Sequence, residues 1–289
     1  MLSAFSKRSL AFLFAAALAG GACGDDSGDG DDTGGGDTDS GTPTGKSYTS
    51  TLVGITATNA DAPILVSHRV ELLDAEEKPL NPPIVNMTSS TDGKVTSTPP
   101  EAAKSIYVTG VGVAGGGMST YDTIVANHNW ESGETLLRIS SAGTLMVAET
   151  TGGFTANAER AAVTGAIYWT TDGKLRKGAV GCAKVYIDGA KVPDEDASQR
   201  YVAMSGLPAK LADQDHTFPG RGQFYIGNMK TGNHTIKVSM DDGATFIGEK
   251  TFYVGKTRAQ ASSPTKSVLY QLGVDIVAPA NPTPASCTK

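Results

Sequence analysis

Several things are scarce in this 289-residue chain, and each scarcity excludes something. Its most apolar run, Leu10 to Leu18, falls short of the roughly 20 residues that a membrane-crossing helix needs. Basic residues do not dominate: 24 Lys and Arg stand against 30 Asp and Glu, and the net charge of −6 leaves no cationic footprint for nucleic acid. Aromatic residues make up only 7% of the chain, with two Trp and no clustered pair, which weakens any stacking platform for sugars. Long apolar patterns of helical period are missing too. What is present is glycine, 35 residues of it, together with short alternating apolar stretches, and both point to β structure with many turns.

The first stretch carries the address. Lys7-Arg8 precede the apolar run, and small residues follow it up to Cys23, the arrangement of an export signal over residues 1–22. Leu18-Ala-Gly-Gly-Ala-Cys23 resembles a bacterial lipoprotein signal, although Gly20 stands where that family usually has Leu. The resemblance implies a thioether-linked lipid on Cys23, membrane attachment in the cell envelope and, by extension, an outer-membrane lipoprotein facing either side. Two or more acyl chains, at about 0.8 kcal/mol per buried methylene, anchor stably where one does not. Cleavage by the ordinary signal peptidase after Ala22 is the alternative. Residues 23–46 then form a tether: Gly24 to Lys46 holds seven Asp and one Lys among Gly, Ser and Thr, a composition expected to stay disordered and extended. Asp29-Gly-Asp31-Asp-Thr33-Gly34 echoes the opening of a calcium loop, but Ser40 occupies the place of the closing Glu. No metal and no cofactor are expected.

With Cys23 assigned to lipid, Cys182 and Cys287 remain, and in an oxidising exported compartment they are expected to pair. A buried Cys182 with a free Cys287 on a frayed tail is the competing reading.

Residues 47–160 read as a first β-sandwich. Thr51–Ile55 and Val66–Leu72 alternate apolar with polar side chains, Asp92-Gly93 is a hairpin-type turn, and Ser105–Thr109, Ile124-Val125 and Leu136–Ile139 continue the strands. Gly112 to Gly117 lacks the Lys and Ser or Thr of a phosphate cradle. His68 shares a face with Val66 and Val70 and reads as packed. His128 and Trp130, in Asn127-His-Asn-Trp130, are the module's candidates for a recognition surface, against a Trp folded back onto the sandwich edge.

Residues 161–278 read as a second sandwich, and residues 279–289 as a Pro-rich tail. Val163-Thr-Gly165-Ala-Ile167, Gly181–Ile187, Gly222-Gln-Phe224-Tyr-Ile226 and Gly232-Asn-His234-Thr-Ile236-Lys-Val238 follow one another as strands, with Ser267–Ile276 as the last. Over residues 163–254 this order resembles the carboxypeptidase-regulatory-like, or prealbumin-like, β-sandwich, with a weaker echo in the first module. The resemblance implies an all-β protein of two tandem antiparallel sandwiches (prealbumin-like or Ig-like) after the acidic linker, acting as an accessory module rather than an enzyme.

Lys191 to Arg221 is long for a connection, and Asp213, Asp215 and His216 within it are a candidate recognition surface. A metal site would need more converging ligands than these. Ser205-Gly206 lacks the nucleophile elbow of an α/β-hydrolase. The expected role is therefore a non-enzymatic module that docks envelope or surface proteins through its loops. The alternative is a carbohydrate-binding module using Trp130, Trp169 or Tyr121.

Overall fold

The computed structural model describes residues 46–55, 61–63, 67–88, 93–110, 122–140, 142–153, 155–191, 199–262 and 268–287. Cys23, Asp194–Asp196, Tyr121 and the Gly112–Gly117 loop lie outside them. The first part of the body contributes β1 (Tyr48–Ile55), β2 (Asp61–Pro63), β3 (His68–Leu73), β4 (Val85–Met87), β5 (Lys94–Ser97), β6 (Ser105–Gly110), β7 (Asp122–Val125), β8 (Leu136–Ser140) and helix α1 (Ala142–Gly152). After these come β9 (Ala161–Thr170), β10 (Arg176–Ala179), β11 (Lys184–Ile187), β12 (Gln199–Val202), β13 (Pro208–Ala209), β14 (Gln223–Met229), β15 (Gly232–Ser239), β16 (Phe246–Val254) and β17 (Val268–Val277).

The expected all-β architecture holds, and it has a feature that period-2 patterns cannot announce. One ten-stranded sheet runs through both halves in the order β13-β12-β14-β9-β17-β7-β6-β3-β4, with β10 also on β9. Its centre is the last strand in sequence: β17 pairs parallel with β9 along nine residues, Leu269 opposite Ala162 to Val277 opposite Thr170, and parallel with β7 on its other edge. β1 and β8 form a further parallel pair, so the sheets are not antiparallel throughout.

Opposite faces of the large sheet are covered at its two ends. In β7, Ile124 joins one apolar cluster while its neighbour Val125 packs against the other, as alternation across a pleat requires. The four-stranded sheet of β1, β2, β5 and β8 brings Leu52, Val95, Leu137 and Ile139 against Val70, Leu72, Ile106 and Val108. The three-stranded sheet of β11, β15 and β16 brings Val185, Ile236, Val238 and Phe252 against Val163, Ile167, Tyr270 and Val274 from the other side. Phe224 and Ile226, paired by spacing, both enter this second cluster, as do Ile236 and Val238.

Two elements depart from the sequence reading. Helix α1 lies where no amphipathic period marks one, because Ala142-Gly-Thr-Leu-Met-Val-Ala-Glu has apolar residues all round. The long connection 191–221 also supplies strands: β12 pairs with β14, and Gln199, Arg200, Tyr201 and Val202 are all buried.

A buried carboxyl ties the halves together on the face away from the first cluster. Glu77, in the turn after β3, accepts hydrogen bonds from Tyr270 Oη at 2.9 Å and from the Gly255 N–H at 3.1 Å, while its Oε1 is buried without a hydrogen-bond partner. A Cβ at position 255 would lie 2.6 Å from Glu77 Oε2, so glycine there lets the carboxyl seat. Burial pushes the Glu77 pKa up to about 7, against the opposing pull of Tyr270, Gly255 and Lys256.

The expected disulfide is present: Cys182 and Cys287 are bonded across a sequence separation of 105. With the Gly181 N–H donating to Thr283 Oγ1 at 2.9 Å, it pins the proline-rich tail beside β11.

Two measurements follow from these ties. Because ionisation is the form that burial penalises, the stabilisation tied to Glu77 is complete below the ordinary carboxylate range and is lost as pH rises through about 7. Glu77→Gln should therefore gain stability over the wild type at pH 8 and show little difference at pH 4.5, read by thermal unfolding at both pH values. Replacing Cys182 and Cys287 by Ser should lower stability by up to about 4–5 kcal/mol in the chain-entropy limit and raise amide exchange over residues 281–287, read by denaturant midpoints and hydrogen exchange.

Candidate functional site

The two small sheets leave part of the large sheet uncovered, and a cleft of about 530 Å³ lies there. Its floor is the face of β9, β14 and β17 opposite the second cluster: Thr164, Ala166 and Tyr168 alternate with the buried Val163 and Ile167, and Gln223 and Tyr225 flank the buried Phe224. On β17 the floor residues are Leu269, Gln271 and Gly273. Asn127 to Asn129, Glu134 and Arg138 form one wall, with Ala148 of α1, while Arg176 and Arg221 come from the second half of the chain. The helix end is held by Arg200, whose Nε donates to the Gly152 carbonyl at 2.6 Å.

Arg176 organises the cleft. Its guanidinium forms a two-pronged pair with Asp275, at 2.6 Å from Nε and 3.3 Å from Nη2, while Nη1 reaches Glu134 at 2.6 Å. It also lies over the Tyr168 ring, 4.2 Å from the centroid. Gly273 makes room: a Cβ there would stand 1.8 Å from Arg176 Nη2. Asn129 adds a bond from Nδ2 to Asp275 Oδ2 at 3.1 Å, and Glu134 Oε1 accepts from Arg138 at 3.4 Å.

Burial pushes the His128 imidazole down to about 4, with the Arg176 and Lys250 charges adding to it, so His128 is neutral at physiological pH. Burial likewise pushes the Lys250 ammonium down to about 8, opposed by Asp275 and helped by Arg176.

The residues singled out from sequence fall in separate places. His128 lines the cleft, edge-on to Trp130 at 4.7 Å. Trp130 itself is half-buried against the first cluster, its Nε1 donating to the Ala103 carbonyl at 3.1 Å, the folded-back arrangement. Trp169 packs against the second cluster, so the two tryptophans do not share a groove. Asp213, Asp215 and His216 are not among the residues lining the cleft. Asp215 bonds to His216 Nδ1 at 2.7 Å and to Lys184 at 3.1 Å, and Lys184 also pairs with Asp242. Burial alone would raise the Asp215 carboxyl, but the bonds from His216 and Lys184 outweigh it and hold its pKa below the ordinary value. Among the described residues, no three His, Cys, Asp or Glu side chains come together as a metal site. His234 and His68 are packed, His234 between Asp188 at 2.8 Å and the Lys230 carbonyl at 2.9 Å.

Arg176, Asp275, Glu134 and Arg138 escaped the sequence reading. The available signal was in β17, where Gly273 and Asp275 interrupt the face opposite Leu272, Val274 and Ile276.

No protein-family profile matches the chain, and no curated protein matches it. Among solved structures it is similar to the minor pilin GBS52 of Streptococcus agalactiae, at 12% identity and TM-score 0.24, over 83% of this chain and 99% of that one. The shaft pilin SpaA of Lactobacillus rhamnosus GG matches at 11% identity and TM-score 0.24, over 82% and 100% of the two chains. A putative cell adhesion protein of Bacteroides eggerthii matches at 11% identity and TM-score 0.19, over 85% and 92%.

If Gly273 exists to seat Arg176, then Gly273→Ala should destabilise by about 1–3 kcal/mol, as overpacking does, because two carboxylates keep the guanidinium from swinging aside. Adding Arg176→Ala should remove the steric part of that loss, so a denaturant double-mutant cycle should show strong coupling between the two positions.

Proposed function

We propose that this chain is a non-enzymatic interaction module of the bacterial cell envelope, tethered by lipid on Cys23 and presenting its β body to a surface or envelope protein. One observation carries the non-enzymatic part: the charges at the centre of the cleft are paired with one another. Arg176 is held by Asp275 and Glu134, and His128 is neutral and packed on Trp130. A catalytic group needs a proton or a lone pair aimed at a substrate, and these groups instead brace the sheet. The tethering part is supported by the small residues before Cys23 and by the acidic, glycine-rich spacer that follows. Among the described residues no helix is long and apolar enough to cross a membrane.

The body suits display. A sheet bridged by its own last strand, a tail closed by a disulfide and a carboxyl clasp at the seam make one block. Two readouts test the proposal. Labelled palmitate should enter the wild-type protein and not Cys23→Ala, and cross-linking in intact cells followed by capture from solubilised envelope should recover one discrete envelope protein. Equal labelling of the two proteins would remove the tether, and a purified chain that turns over substrate with loss of rate in Arg176→Ala would remove the non-enzymatic reading.

A further inference from the structure

The body is acidic, yet the cleft is not. Its lining carries Arg138, Arg176 and Arg221 against Glu134 alone, and counting Asp275 beneath still leaves positive charge in excess. Both acids are engaged by Arg176, which is fixed by three contacts, with Asp275, Glu134 and the Tyr168 ring, in the space left at Gly273. Arg138 and Arg221 stand on the walls to either side of this brace, Arg138 bonded to Glu134 at 3.4 Å and Arg221 steered by a bond from Nη2 to the Met204 carbonyl at 3.1 Å. A cationic recess of about 530 Å³ falls within the roughly 300–1,000 Å³ of small-molecule sites.

The floor narrows the chemistry. Across the floor β9 is paired with β14 and β17, β14 with β12 through Phe224–Ile226 and β17 with β7 through Gln271, so little strand edge is offered to the backbone of an extended peptide. What faces the space is side-chain amide and hydroxyl, from Gln223, Gln271 and Thr164, set among small residues such as Ala166 and Gly273. These match a ligand rich in hydroxyls. A neutral sugar would want an open aromatic ring, but Arg176 covers Tyr168, Tyr225 is buried in the floor, and both tryptophans pack into apolar clusters. We infer that the cleft binds an acidic oligosaccharide, with carboxylates met by Arg138 and Arg221 and hydroxyls by the amide and hydroxyl groups of the floor. The inference names a small ligand for the interaction module proposed above and does not depend on its lipid.

Isothermal titration of the full chain with trigalacturonate tests it, with maltotriose as the neutral sugar and tricarballylate as carboxylate without sugar. Trigalacturonate should bind with a sub-millimolar Kd that weakens as salt is raised, and the other two should bind at least about tenfold more weakly. Arg138→Gln and Arg221→Gln should each weaken binding by a similar factor, while Lys237→Gln, outside the lining, should not. Arg221 is held by a bond to a backbone carbonyl rather than by an ion-pair network, so Arg221→Gln decides the matter if Arg138→Gln fails to fold. Absence of trigalacturonate binding, equal binding of maltotriose or tricarballylate, or binding indifferent to Arg221→Gln overturns the inference. A negative titration alongside positive palmitate labelling and capture overturns the cleft ligand alone and leaves the tethered module standing.

Discussion

The parallel seating of β17 between β9 and β7 is the constraint on which the other features depend. A strand that comes last in the chain and lies at the centre of the sheet cannot be replaced by local contacts, so the two halves close only when residues 268–277 arrive. Its buried face, Val268, Tyr270, Leu272, Val274 and Ile276, fills the second cluster at every other residue. Its other face brings Gln271, Gly273 and Asp275 to the cleft. One strand therefore holds together the core, the joint between the halves and the candidate site. Pairing at such sequence separation is entropically expensive to begin, which places this topology among the slower-folding β proteins.

Charge is distributed with the same economy of position. Asp275 pairs with Arg176, which Glu134 also engages, so that residues from the first half, from β10 and from β17 meet at one guanidinium. Removing one member of such a partly buried set leaves an uncompensated charge, which is costlier than never having had the pair. On the far side of the seam, Glu77 has no cation in hydrogen-bonding contact and answers burial by holding its proton to higher pH. The body thus has, at Glu77, a seam that responds to pH near neutrality.

How much of this was legible beforehand follows from the range of each interaction. The strands around Val163, Phe224, Ile236 and the last strand announced themselves because alternation is local and each has one face buried. β12 was read as loop because all four of its residues are buried, and Gln199 and Arg200 conceal the pattern. Helix α1 was missed for the converse reason, since its apolar residues mark no single stripe. His128 was flagged beside a tryptophan that turned out to be packing, whereas Arg176 and Asp275, 99 residues apart, had no local mark.

By itself the sequence determined the β class and made Cys182 and Cys287 the expected pair, because both readings depend on composition or on neighbours within a few residues. Only the tertiary structure decided that the two halves share one sheet, that opposite faces of it are covered at its two ends, and that a cationic cleft opens where neither cover reaches. Those outcomes depend on strand order and on which pleat face turns inward, and both are settled by contacts between residues a hundred or more positions apart.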